Sequence, residues 1–162
     1  MMPASHPDVV AEPLRAWLVR WLYAAAVAHL LVGALLPWLA DAAFLDGYHR
    51  GIVLAFWPAE PAPPAALAQQ AWWMALFGPT VQTVGVWMVA LVRIADQQRS
   101  ASAWAWLAAG ILVWAPQDVM VSLRAGVWTN VWLDCFAVVA MILPLAWLWR
   151  HDRVAGQNGS TS

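Results

Sequence analysis

Charge is what this sequence has least of. Only 10% of its 162 residues are charged, against about 25% in a soluble domain, which leaves too little polar surface to clothe a water-facing globule. All eight basic residues are arginine, and with nine acids they give a net charge of −1. That excludes a nucleic-acid partner, which requires a concentrated basic face. A single cysteine, Cys135, excludes an internal disulfide, a CxxC pair, a cysteine-rich zinc site and a quinone-coupled disulfide generator. Phosphate loops, zinc-protease motifs and a GxSxG elbow are absent, and no residue spacing assigns a metal. Of the four histidines only His29 falls within an apolar stretch, so a bis-histidine haem inside a bundle has no second ligand. The haem arrangements left are a single axial ligand or a histidine–methionine pair using Met88 or Met120, and otherwise the cofactor is unknown.

Apolar residues are abundant instead: 63% of the chain, including 14 tryptophans, at a mean hydropathy of +0.62. The bilayer is the solvent that suits them. A helix crosses about 30 Å of hydrocarbon with about 20 apolar residues, and residues 17–37, 71–92, 103–123 and 129–149 meet that requirement. The short connections at 93–102 and 124–128 force antiparallel neighbours. The expected fold is therefore an all-α, up-down-up-down four-helix bundle of the membrane, spanning residues 17–149.

Arg15, Arg20, Arg93, Arg99, Arg150 and Arg153 flank the spans on one side, and Arg50 and Arg124 flank them on the other. The excess places both termini in the cytoplasm of a bacterial inner membrane. Tryptophans prefer the two interfaces, and they sort accordingly. Trp17, Trp21, Trp104, Trp106, Trp147 and Trp149 lie at cytoplasmic ends, while Trp38, Trp57, Trp72, Trp73, Trp128 and Trp132 lie toward the outside. The run from Trp21 to Leu39 is longer than a cleavable signal core, so the first span reads as an uncleaved anchor. Residues 1–16 and 150–162 read as disordered cytoplasmic termini.

The outer loop, 38–70, is the only long connection. Phe44, Tyr48, Ile52 and Phe56 recur every fourth residue and predict a short interfacial helix. Pro58, Pro61, Pro63 and Pro64 then impose an extended spacer before helix resumes near Ala65.

Polar groups inside a span are costly unless partnered, so each one carries information. Counted from the span centres at about 1.5 Å per residue, Gln82 is near the midplane and His29 about 3 Å outward. Gln117 is about 6 Å outward, and Asp118 and Asp134 share a depth of about 7.5 Å on adjacent spans. Small residues on the same stripes suggest that these side chains turn inward. Pro116 should kink the third span beside them. Two carboxylates in a low dielectric require that one take up a proton or that the pair meet a cation or an arginine. Arg124, Arg50, His49, Ser122 and Asn130 form the expected rim of a cleft open to the outside.

The first span ending at Pro37-Trp38, the entry from Trp72 to Gly78 and the run Trp114-Ala-Pro-Gln-Asp118 resemble the small bacterial four-span proteins of the DoxX-like and BphX-like kind over residues 17–149. That resemblance implies an accessory to a membrane redox system and transfers no catalytic residue. Three functional expectations follow. The first is an accessory or interaction subunit of a membrane complex, or a homo-oligomer. The second is a protein that binds or transports a small ligand, lipid or proton through the outer cleft. The third is a membrane enzyme acting on lipid or quinone, with His29 and the aspartates as acid and base.

Overall fold

The computed structural model describes residues 7–159; residues 1–6 and 160–162, parts of the two termini expected to be disordered, lie outside them. The chain runs through α1 (Pro7–Leu39), a 3-10 turn (Ala43–Leu45), α2 (Asp46–Phe56), α3 (Pro64–Gln98), α4 (Ala101–Ala125) and α5 (Trp128–Gly159). Helices α1, α3, α4 and α5 are each long and apolar enough to cross a membrane. The fold is an all-α bundle, without strands among the described residues. α2 supplies the short helix expected in the long loop.

The helices overrun the expected spans at both ends. Residues 7–16 and 150–159, expected to be disordered, are helical, and the two short connections shrink to Arg99–Ser100 and Gly126–Val127. The physical reason is that charges in these two segments are packed between helices: Arg15 is 5% exposed and Asp152 2%. Local signals sharpen the boundaries. Ser100 Oγ accepts the Ala103 N–H at 3.4 Å and caps α4. Pro64 stands at the first position of α3, where a missing N–H costs nothing.

Helix α1 packs chiefly on α3, and α4 on α5; lesser contacts between α3 and α4 and between α1 and α5 close the ring. The end that carries the chain's first and last described residues is called here the terminal end, and the opposite one the α2 end. The buried apolar core sits toward the terminal end, where Leu22, Val92, Trp104, Leu145 and Leu148 are fully buried. Large side chains outside it stay exposed, Trp38 at 80% and Phe136 at 73%. A bilayer accepts this, because lipid tails solvate them as well as a protein core does.

In hydrocarbon each backbone carbonyl released by a proline needs a new partner. Pro37 leaves the Gly33 carbonyl without its helical donor, and Gly78 of α3 lies against it. A Cβ added at Gly78 would stand 2.8 Å from Gly33 O, so α1 and α3 touch backbone to backbone. Pro144 likewise releases the Ala140 carbonyl on α5. Trp21 of α1 donates its Nε1–H to that oxygen at 2.9 Å, tying the first helix to the last.

Trp21→Phe is expected to destabilise the bundle by about 1–2 kcal/mol, because it strands the Ala140 carbonyl. In a Pro144→Ala background the helix supplies its own donor and the penalty of W21F should shrink markedly. A double-mutant cycle followed by thermal unfolding in detergent checks this, and equal penalties in both backgrounds would refute the account.

Candidate functional site

The turn at the end of α4 builds the site. Gly126 takes a left-handed conformation, φ 73°, which glycine adopts without a Cβ penalty. Its N–H reaches Leu123 O at 3.2 Å and the Val127 N–H reaches Ser122 O at 2.9 Å, the pairing of a Schellman cap. The chain then reverses into α5 at once. Asp118 and Ser122, one turn apart on α4, are thereby set beside Asn130 and Asp134, one turn apart on α5.

Asn130 is the hub. Its Nδ2 donates to Ser122 Oγ at 2.7 Å, Asp118 Oδ1 at 3.2 Å and Asp134 Oδ2 at 3.3 Å. Two amide hydrogens thus serve three acceptors, so the carboxylates share what the hydroxyl leaves. Gly51 of α2 faces Thr129, and a Cβ there would stand 2.6 Å from Thr129 Oγ1. That close approach lays α2 over the start of α5, and Tyr48 donates its hydroxyl hydrogen to Asn130 Oδ1 at 3.3 Å. Asp134 is 5% exposed and Ser122 6%; Asp118, Asn130 and Tyr48 are half-buried. Among the described residues no arginine or histidine pairs with Asp118 or Asp134. The oxygens of these five residues are hard donors suited to a small cation.

Of the expected cluster, Asp118 and Asp134 come together, joined by Asn130 and Ser122 from the expected rim. Tyr48 belongs with them, although the sequence shows it only as part of an apolar stripe. The remaining residues go elsewhere. Gln82 is exposed; its N, Cα and Cβ lie against Gly33, so the close approach of α1 and α3 takes up the base of the residue. Gln117 is exposed and turns its amide back to Val113 O at 2.6 Å. α4 continues through Pro116 without a break. His29 Nδ1 lies 2.8 Å from Ala25 O on its own helix and does not join the aspartates. His49 staples the long loop: Gln70 Nε2 donates to its Nδ1 at 2.8 Å, which leaves its Nε2–H to donate to Ala40 O at 2.6 Å. Arg50 and Arg124 are exposed and make no ion pair with either aspartate. The arginine partner expected for the carboxylate pair is therefore absent among the described residues.

A second polar constellation, not expected from the sequence, lies at the terminal end. Arg15 of α1 grips Asp152 of α5 with Nε at 2.9 Å and Nη2 at 3.0 Å. Its Nη1 reaches Asp96 Oδ1 of α3 at 2.8 Å. Trp104 of α4 donates Nε1–H to Asp152 Oδ2 at 2.9 Å, and His151 Nδ1 lies 3.0 Å from Asp152 Oδ1. All four long helices meet here. Trp104, expected in an interfacial belt, is fully buried because its ring fills the junction while its N–H satisfies the carboxylate. Above the junction Glu12 and Arg99 form a two-pronged exposed pair, both bonds 2.7 Å. The Glu12 carboxylate holds the Arg99 guanidinium above its ordinary value through those hydrogen bonds. A signal for the buried part existed: Arg15 continues the buried stripe of Leu18, Leu22 and Ala26, and Asp152 that of Leu145 and Leu148.

Comparison with protein-family models, characterised proteins and solved structures finds no match for this chain.

Removing Arg15 leaves the Asp152 side chain, 0% exposed, without its cation. Arg15→Gln is therefore expected to cost about 3–5 kcal/mol, the usual penalty for stranding a buried charge. Glu12→Gln, on the exposed pair, should cost at most about 1 kcal/mol. Thermal unfolding in detergent checks both, and comparable losses would refute the distinction.

Proposed function

We propose that this chain is a multi-pass protein of a bacterial plasma membrane that binds a small cation or a proton between Asp118 and Asp134. The carrying observation is the gathering of two carboxylates on one asparagine amide with no arginine or histidine among the described residues to match them. Ionisable groups at membrane depth are expensive and face functional interiors by default. Two carboxylates in a low dielectric attract a positive charge strongly, and Asn130, Ser122 and Tyr48 add neutral oxygens to receive it. The arginine excess supports termini in the cytoplasm, so the site opens toward the outside, where α2 lies across it. α2 is short, lies outside the four long helices, and sets Tyr48 over the acids, so it suits the part of a cover.

A second reading is an accessory subunit of a membrane complex, or a homo-oligomer. It is favoured by a core concentrated at the terminal end, which leaves the α2 half of the bundle with a broad aromatic exterior for other helices.

The test is titration of the purified protein with sodium, calcium, magnesium and acid, read by infrared absorption of its carboxyl groups. The expected result is a saturable change in the carboxyl bands with one of these titrants. Asp118→Asn and Asp134→Asn should each weaken it at least about tenfold, or about 1.4 kcal/mol. An unchanged response in both variants would overturn the proposal. Companion subunits retained equally by both variants in native mass spectrometry would favour the second reading.

A further inference from the structure

Two neighbouring concavities on the bundle's outer surface fit the two halves of one kind of molecule. The first is a groove of about 300 Å³ between α4 and α5. It is lined by the small side chains Ala105, Ala109 and Ala146 beside the buried Leu145, and it runs inward to Leu112 and Ile142. The second is a recess of about 260 Å³ at the terminal end of α5, lined by Arg150 and Arg153. Trp149 borders both, so the recess and the groove adjoin at that residue. From Trp149 to Ile142 the groove descends about 10 Å, about a third of the hydrocarbon thickness.

The charge in the recess is unmatched by acids. Arg150 and Arg153 are exposed and make no ion pair among the described residues. Asp152, between them in sequence, points the other way and is committed to Arg15, Trp104 and His151. The Arg153 guanidinium sits 5.1 Å above the Trp149 ring, a cation–π arrangement that holds it over the mouth of the groove. A tryptophan at this height marks the headgroup level of a bilayer. Basic side chains clustered on a helix at that level attract anionic headgroups.

We propose that the α4–α5 groove and the Arg150–Arg153 recess form a binding site for an anionic phospholipid of the leaflet on the terminal side. The phosphate lies between the two guanidinium groups, and one acyl chain follows the apolar groove past Trp149 toward Ile142. A free phosphate would use the arginines alone and leave the apolar groove without purpose. The site lies at the opposite end of the bundle from Asp118 and Asp134 and does not depend on their role.

The experiment offers the detergent-purified protein an equimolar mixture of phosphatidylglycerol and phosphatidylcholine with identical acyl chains and weighs the adducts by native mass spectrometry. Phosphatidylglycerol adducts should dominate. They should fall about tenfold to thirtyfold in R150Q/R153Q, given the attraction of each arginine for an anionic surface. They should survive in R20Q, whose exposed arginine lies toward the same end but on α1, bonded to Ala16 O. Both arginine variants lie on the exposed surface and leave the core intact. A109L/A146L fills the groove and should lower lipid binding while Arg150 and Arg153 remain. Equal uptake of the two lipids, unchanged uptake in R150Q/R153Q, or displacement of phosphatidylglycerol by inorganic phosphate would each overturn the proposal.

Discussion

Four helices converge on one guanidinium. Arg15 reaches Asp152 on α5 with two hydrogen bonds and Asp96 on α3 with a third, while Trp104 of α4 closes the second oxygen of Asp152. A charge so deeply buried is tolerable only when its donors are satisfied, and here each partner comes from a different helix. The interaction therefore ties the four helix ends to one another: the arginine, the two acids and the indole each sit on a different helix, and the fully buried apolar side chains lie packed beside that junction.

Beyond the junction the governing constraint is the poverty of hydrocarbon in hydrogen-bond partners. Pro37 in α1 and Pro144 in α5 release carbonyls, and the structure answers these two with contacts between helices. Gly78 lies against Gly33 O, and Trp21 donates to Ala140 O. Breaks in the helical ladder thus become places where helices are joined. The same constraint explains why Gln117 folds back on its own helix at Val113 O: a polar side chain at the surface of a span takes the nearest acceptor.

The two polar clusters that join helices contrast in charge balance. At the terminal end the Arg15 cation stands between two acids and the exposed Arg99 is matched by Glu12. At the α2 end Asp118 and Asp134 share one neutral amide and a hydroxyl, with Tyr48 above them. Matched charge builds a rigid junction, whereas unmatched charge leaves an appetite for a ligand. Placing the cover helix α2 over the unmatched end, through the close approach of Gly51 and Thr129, is what makes that end the candidate site.

The four long helices were legible because apolar length is a property of consecutive residues, and α2 because its period-four stripe is local. The meeting of Asp118 and Asp134 was legible in part, since equal depth on antiparallel neighbours joined by a tight turn leaves little freedom. Gln82 misled for a physical reason: glycines on a helix stripe bring backbones together, and such contact has no room for a side chain. Arg15 was legible only as a charge flanking a span, and Asp96 and Asp152 fell within a connection and a tail, because a charge beside a span reads the same whether it faces water or a partner on another helix. Composition and periodicity alone determined an all-helical chain suited to lipid, since the bilayer imposes its demands on each segment separately. Which charges are paired and which are left unmatched was decided only in three dimensions, because ion pairing depends on residues as distant in the chain as Arg15 and Asp152 and on the direction in which each helix turns its face.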